Sequence, residues 1–189
     1  DGERRAGTVG FPLPGTQIRI CDDAHRPLDT GEVGELEVRG PNVFKGYWRM
    51  PRKTAEDFTA DGWFVTGDQG RIDERGYVSI VGRSKDMVIT GGLNVYPKEI
   101  EIVINGIEGV VESAVFGVPH PDFGEAVVAT VVVRPDRDIT PAAIEDRLRA
   151  EMAKFKLPKR IQIADQLPRN AMGKVQKNVL RQEGDDPFY

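Results

Sequence analysis

Twenty-one glycines and thirteen prolines are spread through 189 residues, and this punctuation is the strongest constraint on the fold. Both residues interrupt regular backbone, so the elements between them must be short, which favours strands and turns over a bundle of long helices. Up to about residue 82 the pattern agrees. Apolar and polar residues alternate with a period of two at 17–20, 35–39, 63–66 and 77–81, as expected of strands with one wet face. Asp61-Gly62 and Arg75-Gly76 read as turns. A short helix is expected over 51–58, with Pro51 in its first turn.

From Pro97 the texture changes. A helix is expected to begin there, followed by strands at 110–118 and 125–134. A second helix starts at Thr140-Pro141 and runs to about Lys154, with Glu145 favouring its positive end, and a strand follows at 160–164. Helices and strands alternating in this way predict an α+β class: a β-rich subdomain followed by a small α+β domain.

Composition narrows the function classes. With 39% hydrophobic and 30% charged residues, the chain has the make-up of an ordinary soluble domain. A net charge of −4 leaves no basic footprint for nucleic acid or an anionic membrane, so neither is an expected partner. The longest apolar run, 126–133, falls well short of the ~20 residues a spanning helix needs. The opening Asp-Gly-Glu-Arg-Arg lacks the apolar core of a secretory signal. Cys21 is the only cysteine, which excludes an internal disulfide and fits a reducing cytoplasm. His25 and His120 lie far apart, with none of the spacing of a protein-built metal site. Trp48 and Trp63 read as core residues rather than cofactor stacks.

Three motifs carry chemistry. The first is Trp63-Phe64-Val65-Thr66-Gly67-Asp68, in which Asp68 follows what reads as a Thr66-Gly67 turn. The second is Gly82-Arg83-Ser84-Lys85-Asp86, a short polar stretch between apolar strands. The third is Pro168-Arg169-Asn170-Ala171-Met172-Gly173-Lys174, which presents a lysine on a polar, glycine-preceded turn. It is not a P-loop, because Pro168 stands where the first glycine is required and Val175 where a hydroxyl residue is required. Taken singly, Asp68 could be a turn aspartate satisfying nearby backbone, Arg83 a surface charge and Lys174 a solvated lysine. Thr90-Gly91-Gly92-Leu93-Asn94-Val95-Tyr96-Pro97 reads equally as a simple turn or as a loop whose bare backbone lets something approach closely.

In this order and separation the three motifs resemble the carboxyl-terminal part of the adenylate-forming acyl-CoA synthetases. Arg5-Ala6-Gly7-Thr8-Val9-Gly10 and the Pro-Arg-Asn-x-Met-Gly-Lys form of the third motif look most like malonyl-CoA synthetases. The resemblance implies a two-step reaction with ATP, accompanied by Mg2+, and then CoA as substrates: acyl-adenylate and pyrophosphate form first, thioester and AMP second. It implies that Lys174 is catalytic in the first step, that Asp68 accepts the ribose hydroxyls and that Arg83 helps place the nucleotide. Lys85 matches the hinge, and Gly91 and Gly92 the loop that lines the CoA channel. The domains it implies are 1–84, part of the large AMP-binding domain, 85–182, a mobile lid, and a tail at 183–189.

In that family a Ser/Thr/Gly-rich phosphate loop and most of the acyl pocket precede the position matched by Asp1. An N-terminal portion of the same enzyme is therefore an expected partner, and the chain alone is expected to be inactive and to associate through uncovered apolar surface. Malonate is the expected carboxylate, with another short or medium acid as the alternative. A lysine acetyltransferase and deacetylase acting on Lys174 are further expected partners. The competing expectation is a non-catalytic nucleotide-binding or regulatory module.

Overall fold

The alternating runs of the first half pair into one antiparallel sheet in a computed structural model that describes residues 3–183. Its strands are β1 (Gln17–Cys21), β2 (Gly34–Arg39), β3 (Phe64–Ile72) and β4 (Val78–Arg83), joined in sequence order. The inner face buries Ile20, Leu36 and Val78, with Ile18, Leu28, Val38 and Ile72 packed around them. Helix α1 (Pro51–Asp57) lies between β2 and β3 in sequence and has proline in its first turn.

One carboxylate is sealed into this sheet. Glu37 on β2 is completely buried and stands directly opposite Arg19 on β1, whose Nε lies 2.7 Å from Oε2. His25 Nδ1 sits 2.5 Å from the other oxygen. The Arg19 and Arg39 guanidiniums stack on the Trp63 indole at 4.4 and 4.5 Å, which covers that ring from solvent. Burial pushes the Cys21 thiol up to about 11, with the nearby Glu37 charge acting the same way, so the thiol stays protonated and unreactive at neutral pH.

Trp48, expected in a core, is instead 84% exposed. Its neighbour Tyr47 takes the inward position, with its ring 5.0 Å from Phe44 and its hydroxyl donating to Asp57 at 2.9 Å. The strand expected at 63–66 continues to Ile72 because the chain passes through Thr66-Gly67 without reversing.

The chain divides into two units, 1–85 and 86–189. The second is built on β8 (Gly124–Val133), whose residues are buried along almost its whole length. Such near-continuous apolar composition marks a strand covered on both faces. It pairs antiparallel with β7 (Val110–His120) and, through Thr90 and Gly124, with β5 (Val88–Thr90). Strand β9 (Arg160–Ala164) runs parallel to it. A parallel partner needs a crossover, and α3 (Pro141–Glu151) supplies it.

Period two along β8 then separates two cores. Val127, Ala129 and Val131 meet Ile100 and Ile104 of α2 (Pro97–Asn105) and Ile144 and Leu148 of α3. Ala126, Val128 and Val132 pack with Phe116, Leu167 and Leu180, the last of these on α4 (Lys177–Glu183).

Helix α3 is capped as expected, Thr140 Oγ1 accepting from the Ala143 amide at 3.3 Å. It stops at Glu151 rather than near Lys154, because Met152 is extended and a separate 3-10 turn follows at Lys154–Lys156. Glu145 lies beyond the first turn and pairs with Arg149 at 2.6 Å, so its role is a surface ion pair rather than a dipole contact. Helix α4 and the strands β5 and β6 (Leu93–Val95) lie outside the elements expected from the sequence. Residues 184–189, most of the tail assigned from sequence, lie outside the described residues. Among the described residues no helix is long and apolar enough to cross a membrane.

Replacing Glu37 with alanine leaves Arg19 without its buried partner, and the expected loss is about 3 kcal/mol. Urea unfolding followed by tryptophan fluorescence measures it.

Candidate functional site

Asp68 owes its position to a mismatch in strand length. Glu35 pairs with Gln69 and Glu37 with Val65, so three residues, Thr66, Gly67 and Asp68, stand opposite Leu36 alone. The surplus has to bulge out of the ladder, and bulges of this kind re-aim side chains. Thr66 Oγ1 donates to the Leu36 carbonyl at 2.7 Å and accepts from the Asp68 amide at 3.1 Å, which closes the bulge. The Gly67 amide donates to Glu35 Oε1 at 2.8 Å. Thr66-Gly67 is thus a bulge within β3 rather than the expected turn.

Across the sheet, Asp68 faces Arg83. Arg83 Nε lies 2.8 Å from Asp68 Oδ1, and Nη1 donates to the Thr66 carbonyl at 3.3 Å. Such a partly exposed pair adds little stability, about 0–1 kcal/mol, so its value is orientation. Asp68 Oδ2 has no protein partner among the described residues. Ser84 follows, and its hydroxyl donates to Glu35 Oε2 at 2.5 Å. Lys85 is exposed within a single 3-10 turn, Ser84–Asp86, and is the last residue of the first unit.

In the second unit, Lys174 is carried by a loop closed on itself. Asn170 Oδ1 accepts from the amides of Met172 and Lys174, both at 3.0 Å, and the Asn170 amide donates to the Lys174 carbonyl at 2.9 Å. Gly173 adopts φ +76 at the tip, a conformation that costs other residues energy. Arg169 ion-pairs with Glu112 on β7 and donates to the Gly173 carbonyl at 2.6 Å. On the other side Lys177 binds the buried Glu101 of α2 at 2.7 Å. The Lys174 side chain is exposed, with no protein partner among the described residues. It is a fixed base carrying a mobile cation, an arrangement that can neutralise an anion.

Gly91 and Gly92 form the two-residue turn of the β5–β6 hairpin, with φ of +56 and +79. Positive φ at both centres is the backbone a tight hairpin demands, so the simple-turn reading accounts for both glycines. They are also exposed, and the Gly91 amide donates to the Phe123 carbonyl at 2.9 Å. Among the described residues no group of three or more His, Cys, Asp or Glu could hold a metal ion.

Known proteins share this sequence and fold. Residues 99–174 match the model of the AMP-binding enzyme C-terminal domain, and residues 1–48 match that of the AMP-binding enzyme itself. The chain belongs to the AMP-binding enzymes. Among curated relatives, a long-chain-fatty-acid–CoA ligase of Yersinia pestis is 42% identical over 97% of this chain and 32% of its own length. Among solved structures, ATP-bound MatB from Rhodopseudomonas palustris is 56% identical, with a TM-score of 0.92, over 100% of the chain and 38% of MatB. The amide bond synthetase McbA of Marinactinospora thermotolerans is 37% identical with a TM-score of 0.90, over 95% of the chain and 36% of McbA. The chain therefore spans about a third of the length of the relatives it matches.

Of the residues singled out in the sequence, the first unit brings Asp68 and Arg83 into contact and holds Lys85 two positions further on, whereas Gly91, Gly92 and Lys174 belong to the second unit. The anchoring residues were missed. Glu35 was visible only as a polar position in the alternating run 35–39, and the Glu112 and Glu101 contacts span distances no local pattern reveals.

Asn170→Ala removes the acceptor of two amides. Hydrogen exchange at Met172 and Lys174 is expected to accelerate about tenfold or more, while global stability changes by about 1 kcal/mol or less. Exchange measured by mass spectrometry or NMR tests this.

Proposed function

We propose that this chain supplies the adenosine-binding and lid portion of an ATP- and CoA-dependent acid–thiol ligase that works through an acyl-adenylate. In the first step a carboxylate oxygen bonds to the α-phosphorus of ATP and pyrophosphate leaves. In the second the CoA sulfur, having lost its proton, bonds to the acyl carbon, and AMP leaves with the electron pair of the broken C–O bond. Domain boundaries at 1–84 and 85–182 belong to this proposal, with Lys85 as the pivot.

The observation that carries the reading is the Lys174 turn in a chain of this family: an unpaired ammonium on a locally rigid base. The first step brings two anions together, and a positioned cation offsets their repulsion. At about 4 Å and an effective dielectric of about 20, one ammonium contributes roughly 4 kcal/mol, which is about a thousandfold in rate. In the first unit, Asp68 has one oxygen on Arg83 and the other open to accept ribose hydroxyls. Arg83 orients Asp68 and meets the nucleotide from the neighbouring strand. Gly91 and Gly92, exposed at a hairpin tip without side chains, are assigned to the pantetheine channel. With no carboxylate cluster on the described residues, Mg2+ is assigned to the nucleotide phosphates rather than to this chain.

Malonate is the proposed acid. The motif forms at Arg5–Gly10 and Pro168–Lys174 that look like malonyl-CoA synthetases support it, as does the greater identity to MatB, 56%, than to the long-chain ligase, 42%. The exposed Lys174 is also proposed as the target of a lysine acetyltransferase and deacetylase, since acetylation removes the charge that the first step uses. A cytoplasmic setting belongs to the same proposal, supported by the single cysteine.

The complete gene product tests this through pyrophosphate exchange with malonate and other acids. Malonate is expected to give the highest kcat/KM, and a preference for a long-chain acid overturns the substrate assignment. Lys174→Ala is expected to slow adenylate formation by about a thousandfold while sparing CoA transfer from preformed adenylate. Equal losses in both half-reactions contradict the role given to Lys174.

A further inference from the structure

The Glu35 carboxylate is the point at which three donors converge, two from β3 and one from the 3-10 turn that follows β4. Its Oε1 accepts from the Gly67 amide at 2.8 Å, and its Oε2 accepts from the Ser84 hydroxyl at 2.5 Å and from Gln69 Nε2 at 3.2 Å. Gln69 Nε2 also donates to Ser84 Oγ at 2.9 Å, which closes the network. One oxygen therefore holds the bulge that carries Asp68, and the other holds the residue immediately before Lys85. We infer that Glu35 is a positioning residue that couples the Asp68–Arg83 pair to the base of the pivot. This inference rests on the roles proposed above for Asp68 and Lys85.

Two features give the coupling its rigidity. Glu35 cannot drift, because the preceding Gly34 is packed so closely that a Cβ there would lie 2.3 Å from the Cys21 carbonyl oxygen. A neutral amide fits this site less well than the carboxylate. With its oxygen toward the Gly67 amide, glutamine turns an N–H toward Ser84 and Gln69, and the Ser84 hydroxyl has to swing to the Gly67 carbonyl, 3.3 Å away, to accept it. Moreover, Glu35 stands apart from the small core of Ile20, Leu36 and Val78, so its loss should disturb the bulge more than the sheet.

The test is a double-mutant cycle in the complete gene product, with ATP binding measured by calorimetry, KM and kcat for adenylate formation, and thermal unfolding as a control. Glu35→Gln is expected to raise the Kd and KM for ATP by about tenfold, with kcat changed far less. Ser84→Ala is expected to raise them less, and the double variant to resemble Glu35→Gln alone, because both changes break one network. Wild-type ATP affinity in Glu35→Gln, or additive effects in the double variant, overturns the inference. If Glu35→Gln fails to fold, Ser84→Ala alone decides, and unchanged affinity there also overturns it. Asp68→Ala separates the two levels. Loss of ATP binding in Asp68→Ala with none in Glu35→Gln removes only the coupling, whereas wild-type binding in Asp68→Ala removes the nucleotide role itself.

Discussion

Three residues of β3 must fit opposite one residue of β2, and the chemistry assigned to the first unit depends on how that surplus is absorbed. A regular ladder would send Thr66, Gly67 and Asp68 alternately to the two faces of the sheet. The bulge instead bonds Thr66 to the Leu36 carbonyl and Gly67 to Glu35, and it leaves Asp68 level with Arg83 on the next strand. An acid and a base on adjacent strands then orient one another without burial, which would have cost desolvation energy. The sheet tolerates the irregularity because its small core, around Ile20, Leu36 and Val78, does not depend on those three residues.

The second unit solves a different problem. Its charged turn has little apolar surface of its own, so stability has to come from flanking contacts. Val175 and Leu180 reach the core shared with Phe116, while Arg169 and Lys177 are tied to acidic residues on β7 and α2. Both cores hang on β8, one on each face, so a single strand positions all three helices α2, α3 and α4.

Much of this was legible in the sequence where the physics is local. Period-two alternation located β1, β2 and β4 to within a residue or two, β9 matched in full, and Thr140 capped its helix. Local pattern failed where the outcome depended on distant partners. Nothing in Trp63–Asp68 announces a bulge, since the mismatch exists only once β2 is paired. Trp48 looks like core by composition, yet Tyr47 occupies the inward position. Strands β5 and β6 are three residues each, too short for alternation to register, and only their glycine turn was visible. The motif residues Asp68, Arg83 and Lys174 were found because their types and order recur in a family. Their anchors Glu35, Glu112 and Glu101 were not, because an ordinary glutamate carries no such signature.

The Lys174 loop is clamped at both ends, by Arg169 to one strand and by Lys177 to one helix, and closed in the middle by Asn170. Its peptide backbone therefore works as a fixed mast, and the four-carbon stem of the lysine is a free line attached to it. The volume the ammonium can sweep is set by that stem's torsions. An anion beyond its radius is out of reach unless the unit travels as a body, so a repositioned unit and a repositioned charge amount to the same event.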